Sequence, residues 1–174
     1  MSEYNRAVLG KQAAALGFIR DTFEKVSRLA SLLSFCERDP VLSRYLALKG
    51  GTAINLTIHE LPRLSVDIDF DFAENLVMEE MQEIRKTIRE TFRRHAAMND
   101  YSLSDKSRVF HSLDSDYFQY VNSAGVRDNI KSKSIIHSEA ISCHCRIVQS
   151  RLLAYFLLRR CYHLTLLKYS HPRL

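Results

Sequence analysis

The sequence predicts an α/β domain built as a small mixed sheet flanked by helices, and three observations carry that expectation. Residues 65–72, Ser-Val-Asp-Ile-Asp-Phe-Asp-Phe, alternate polar and apolar over eight positions, the period of a strand with one buried face. Two longer segments, from Asn5 to about Arg38 and from Leu76 to Met98, repeat apolar residues at three- and four-residue steps, the period of a helix with one buried stripe. From Tyr101 to Ile136 the pattern changes to short strand-like runs separated by turn residues. At 174 residues the chain is long enough for one domain with a real core.

Each element follows from local chemistry. In the first helix Leu16, Ile19, Phe23, Val26, Ala30 and Leu33 form the apolar stripe, and Arg20, Asp21, Glu24, Lys25 and Arg28 fill the other face. Asp39-Pro40 ends it, because proline disfavours helical backbone in the residue before it, and Val41 to Tyr45 supply one further turn. A short apolar strand from Leu46 runs into Gly50-Gly51-Thr52. Ala53 to His59 then reads as a helix that Leu61-Pro62 breaks before the alternating strand. In the next helix Met78, Met81, Ile84, Ile88 and Phe92 line one side; acids sit early and Arg89, Arg93 and Arg94 late, in agreement with the helix dipole. The methionines there are core filler. Strands are expected at 107–113, 117–122 and 129–136, with turns at Asp114-Ser115-Asp116 and Ser123-Ala124-Gly125, as an antiparallel extension of the sheet.

The alternating strand also carries the chemistry. Val66, Ile68, Phe70 and Phe72 point to the core, which leaves Asp67, Asp69 and Asp71 together on the other face. Asp is depleted in strands and like charges on one face repel, so a positive counter-charge is required. Carboxylates at i and i+2 lie about 6.6 Å apart, within reach of one divalent-metal cluster. Oxygen-only ligands favour Mg²⁺ or Mn²⁺ over zinc. Asp71 lies about 13 Å from Asp67 by strand rise, too far to share the same ions. Glycines at a strand-to-helix corner let backbone N–H groups approach a phosphate. A phosphate cradle beside paired carboxylates is the layout of two-metal nucleotidyl transfer. Lys49 and Arg63 flank this stretch and either face triphosphate oxygens or stand as surface charges. Ser65, two residues before Asp67, is placed to bond phosphate or a metal-bound water.

Gly50-Gly51-Thr52 followed by Asp67-Ile68-Asp69 resembles the signature of the DNA polymerase β-like nucleotidyltransferase superfamily. Leu48-Lys49-Gly50-Gly51-Thr52-Ala53 with Pro62-Arg63-Leu64-Ser65-Val66-Asp67-Ile68-Asp69 resembles, more closely, the AbiEii/AbiGii toxin family. These are nucleotidyltransferase toxins of abortive-infection toxin–antitoxin systems, used in phage defence, and include the MenT-type toxins. The resemblance is specific over residues 40–75 and continues weakly through Tyr120 to Gly125 and Asp128 to Lys131. It implies a nucleotidyltransferase fold, an NTP donor with Mg²⁺, an RNA acceptor such as the 3′ end of tRNA, and a cognate antitoxin of winged-helix type. It also implies catalytic, metal-holding roles for Asp67 and Asp69. Gly50, Gly51, Thr52, Lys49, Arg63 and Ser65 fall to the nucleotide and its phosphates. The superfamily takes a third carboxylate from a later strand, in a stretch close to Ile-Lys-Val-Glu-Ile. Here the stretch reads Ile130-Lys131-Ser132-Lys133-Ser134, with Lys133 at the acid's position, so transfer is expected to be weak or absent. The alternatives are a non-catalytic nucleotide- or antitoxin-binding remnant, or a nucleic-acid-binding protein.

Charge placement motivates the last alternative. Residues 1–130 carry a net charge of −2 and the remaining 44 carry +7, together with four of the seven histidines and three of the four cysteines. The expected organisation is therefore a nucleotidyltransferase-like domain over residues 1–136 and a divergent basic tail over 137–174. The composition shift near Lys131 fits a truncated or frameshifted product. A zinc site from Cys143, Cys145, Cys161 and His163 is disfavoured, since each pair is separated by a single residue. Four cysteines so placed do not make a disulfide framework. The sequence shows neither a membrane-length apolar run nor a signal-peptide core, so a cytoplasmic location without membrane partners is expected.

Overall fold

The computed structural model describes residues 4–50 and 67–136. The chain begins with three helices, α1 (Arg6–Leu16), α2 (Arg20–Arg38) and α3 (Pro40–Tyr45). The first two were expected as one. They separate at Gly17, which adopts left-handed φ of 74° while the Phe18 N–H closes back on the Ala13 carbonyl at 2.9 Å, a glycine-stopped helix end. Asn5 caps α1, accepting from the backbone N–H groups of Ala7 and Val8. Ile19, expected in the stripe, becomes the residue before α2 and is 74% exposed. Asp39 both ends α2 and caps α3, its carboxylate accepting from Val41 and Leu42 N–H beside Pro40 in the first turn.

The second correction concerns the polar side of α2. Glu24 and Arg28, expected on the solvent face, are buried, Glu24 completely. Glu24 accepts from the Ser123 backbone N–H at 2.9 Å and is bridged by Arg28 at 3.0 Å. The Arg28 guanidinium in turn lies over the rings of Tyr4 (3.9 Å) and Tyr120 (4.3 Å). A helical period cannot see this, because the turn that Glu24 receives lies 99 residues away.

The sheet runs β1-β2-β6-β5-β3, with β4 pairing β5 off that path. Its strands are β1 (Leu46–Lys49), β2 (Asp67–Phe72), β3 (Ser102–Leu103), β4 (Arg108–Val109), β5 (Leu113–Val121) and β6 (Arg127–Ile135). β2 pairs antiparallel with β1 and parallel with β6, and the other pairs are antiparallel, so the sheet is mixed as expected. β5 and β6 form a long hairpin whose turn is the predicted Ser123-Ala124-Gly125, gathered by the Asn122 side chain accepting from Ala124 and Val126 N–H. The other predicted turn is overturned. Asp114-Ser115-Asp116 lies inside β5, and the chain reverses just before it, where the Phe110 N–H donates to the Leu113 carbonyl. Two acids in a strand read as turn chemistry, but Asp114 has a built partner. Arg85, on α4 (Met78–Met98), grips its carboxylate with two nitrogens at 2.7 and 3.0 Å.

Helix α4 covers the apolar face of the sheet. Ile68 and Phe70 are fully buried there, with Phe72 beside them, and meet Met81, Ile88 and Phe92 of α4 and Leu29, Leu32 and Leu33 of α2. Met78 opens the helix and is exposed, so only the later part of its predicted stripe is core. Phe92 meets Phe118 of β5 edge to face. The expected Ala53–His59 helix, its Leu61-Pro62 break and the whole 137–174 tail lie outside the described residues.

Candidate functional site

The strand period places the acids as predicted. Ile68, Phe70 and Phe72 go into the core, so Asp67, Asp69 and Asp71 stand on the opposite, half-buried face of β2. Two strands flank them with complementary charge. On one side Lys49 of β1 is the register partner of Asp69. On the other, Lys131 and Lys133 of β6 are the register partners of Asp67 and Asp69. Three aspartates therefore face three lysines across neighbouring strands.

The pairings are specific. Lys49 does not stay with its register partner but ion-pairs with Asp71, its neighbour one pleat along. Asp71, too far along the strand to share ions with Asp67, thus engages Lys49. Lys133 Nζ lies 3.6 Å from an Asp69 carboxylate oxygen, both side chains partly exposed. Lys131 reaches over the Tyr117 ring, 5.3 Å from its centroid. Its pKa is raised, first by Tyr117 and further by the charges of Asp67 and Asp69. Part of the positive counter-charge that an acidic strand face requires is therefore supplied by the protein itself.

Gly50 completes the geometry. It follows β1 directly with φ of 74°, the left-handed backbone that side chains rarely adopt. A Cβ placed on it would sit 2.7 Å from the Asp69 Oδ2 atom, closer than such contacts allow. The glycine corner and the Asp69 carboxylate are thus in direct apposition, and any other residue there would strain the left-handed backbone and force the carboxylate to move. Gly51, Thr52, Arg63 and Ser65 lie outside the described residues, so the structure brings together Asp67, Asp69, Gly50 and Lys49 of the predicted set. Sequence reasoning missed Lys131 as part of this face. Its signal was available in the parity of β6, where Lys131 and Lys133 alternate with the buried Ile130, Ser132 and Ser134.

Among the described residues no three His, Cys, Asp or Glu side chains converge as a metal-binding group. Asp67 and Asp69 offer hard carboxylate oxygens beside a backbone corner that a Cβ would fill. That donor set suits Mg²⁺, which typically takes one or two carboxylates, keeps several waters and shares substrate phosphates. Among the described residues no helix is long and apolar enough to cross a membrane.

The basic end of α4 also contributes to packing. His95 stacks on Phe35 with ring centroids 3.8 Å apart, and burial lowers its pKa, with Arg38 adding to the effect. It is a packing residue.

No curated protein matches the chain. The crystal structure of a "putative nucleotidyltransferase from H. pylori" is similar at 19% identity with a TM-score of 0.42; the match takes in 67% of this chain and 45% of that one. Residues 35–131 match the family model described as nucleotidyl transferase AbiEii toxin, type IV toxin–antitoxin system. That span runs from the end of α2 to β6, includes Gly50, Asp67 and Asp69, and exceeds half of the 174 residues. The chain belongs to the AbiEii nucleotidyl transferase toxin family.

Proposed function

We propose that this chain binds an NTP with Mg²⁺ or Mn²⁺ and transfers its nucleotidyl group to an RNA acceptor, the 3′ end of tRNA being the acceptor that family resemblance favours. The observation that carries the reading is the apposition of Gly50 and the Asp69 carboxylate, with Asp67 on the same strand face. In this reading Asp67 and Asp69 hold the cation, which supplies charge neutralisation at the transferring phosphoryl group. The Gly50-Gly51-Thr52 corner offers backbone N–H groups to the phosphates. Lys49, Arg63 and Ser65 contribute charge and hydrogen bonds to the same phosphates; for Lys49 this requires release from Asp71. An antitoxin partner follows from the family, with a winged-helix regulator as the expected type, and the cytoplasm is the expected location.

The β6 lysines favour a second reading. Lys133 stands beside Asp69, at the position where the family resemblance implies a third acid, and a cation there competes with any metal for the same carboxylate. A chain with this pair binds nucleotide or antitoxin without efficient turnover. Incubation with labelled NTPs and tRNA separates the two. Labelled tRNA that disappears in Asp67→Ala supports the enzyme. Unlabelled tRNA alongside retained nucleotide binding supports the binder.

A further inference from the structure

The face of the sheet opposite the acids carries a second polar site. Arg85, Arg89 and Arg93 recur every fourth residue along α4 and so share one side of the helix. Beneath them β5 presents Asp114 and Asp116, two residues apart and on one strand face. The first arginine and the first acid close completely: Arg85 grips Asp114 and also donates to the carbonyls of Phe110 and His111. The next two arginines do not repeat this. Among the described residues the side chains of Arg89, Arg93 and Asp116 make no hydrogen bond or close ion pair, and the two arginines act on Asp116 only through longer-range charge.

Between them lies a cleft of about 250 Å³ lined by Arg89, Arg93, Arg108, Asp116, Ser107 and Leu103. Arg108 enters from β4 and donates only to backbone carbonyls, those of Asp105 and Ser107. The Ser107 hydroxyl oxygen accepts from the Tyr117 N–H, which leaves its proton for another acceptor. Across the strand pair from Asp116, Ser132 is buried with a hydroxyl that has no partner among the described residues. Burial and the neighbouring Asp114 push the Asp116 carboxyl up to about 6 against the pull of Arg89 and Arg93. Neither guanidinium closes an ion pair with that carboxylate, so one acid offsets only part of the charge of the arginines that line the cleft.

We propose that this cleft binds a phosphate group, as a free nucleotide or as a phosphodiester of an oligonucleotide, on Arg89, Arg93 and Arg108. A planar carboxylate is satisfied by one guanidinium, as Asp114 is by Arg85. Three guanidiniums converging from a helix and a strand suit a tetrahedral anion with oxygens in several directions. Asp116 limits the affinity as a competing negative charge. This site does not depend on the acids of β2, which project from the other side of the sheet.

Titration of the full chain with inorganic phosphate, AMP and a short single-stranded oligoribonucleotide, read by thermal shift and calorimetry, tests the proposal. Saturable binding of at least one probe is expected, weakened tenfold or more in Arg89→Gln/Arg93→Gln and strengthened severalfold in Asp116→Asn. The same titration in Asp67→Asn keeps the affinity, which separates this cleft from the β2 site. Binding of the oligonucleotide but not of AMP or phosphate assigns the site to a nucleic-acid backbone; binding of AMP or phosphate assigns it to the free ligand. Absence of binding by all three probes overturns the proposal. So does loss of binding in Asp116→Asn, which marks a cation site, or unchanged binding in the double arginine variant.

Discussion

At the scale of single residues, Gly50 and Asp116 are constrained by their surroundings in ways that substitutions expose. Gly50→Ala demands a left-handed backbone and drives a methyl group into the Asp69 carboxylate. A loss of about 1–3 kcal/mol in denaturant-measured stability is expected, together with weakened nucleotide binding; an alanine variant as stable and as tight-binding as wild type contradicts the apposition. Asp116 predicts a pH dependence. Its folded-state carboxyl is raised to about 6 from the ordinary 3.8, so the folded chain holds the proton more tightly than the unfolded one. That contribution is full below the lower value and is lost as pH rises through the upper. Wild type should lose on the order of 3 kcal/mol from this group between those limits. Asp116→Asn should flatten that slope in urea unfolding at successive pH values.

At the scale of elements, the pairing of α2 with the β5–β6 hairpin depends on one buried carboxylate. Glu24→Ala strands a buried arginine and leaves the Ser123 N–H without its acceptor. A loss of about 3–5 kcal/mol is expected in chemical unfolding, and a loss under about 1 contradicts the reading. β6 sets Lys133 beside Asp69, the position where the sequence resemblance leads one to expect an acid. Lys133→Glu returns a carboxylate beside Asp69, and we expect it to tighten Mn²⁺ binding at least tenfold by calorimetry; unchanged or weaker binding removes Lys133 as a competitor. The elements also divide by what their sequence discloses. β2 was legible because its alternation is local and strict, and α4 because its stripe and charge order agree. The break at Gly17 was hidden inside a continuous apolar period. The burial of Glu24 and the inclusion of Asp114 in a strand were hidden because Ser123 and Arg85, which satisfy them, are distant in sequence.

At the scale of the molecule, the sheet separates two kinds of charge. Its acid face gathers Asp67, Asp69 and Asp71 against Lys49, Lys131 and Lys133, while its helix-covered face holds the arginine cleft above β5. The candidate site was legible as far as its residue types, since Gly50 and the acids of β2 belong to one short stretch. That Lys133 sits in register with Asp69 required the parallel pairing of β2 with β6, which the local pattern does not encode. Under the proposed function, Asp67 and Asp69, beside Gly50, hold a metal-bound nucleotide. Mn²⁺–NTP binding followed by electron paramagnetic resonance in wild type and in Asp67→Asn/Asp69→Asn tests it most directly. Bound Mn²⁺ in wild type that is lost in the double variant is the predicted result; equal binding in both, or none in wild type, contradicts it.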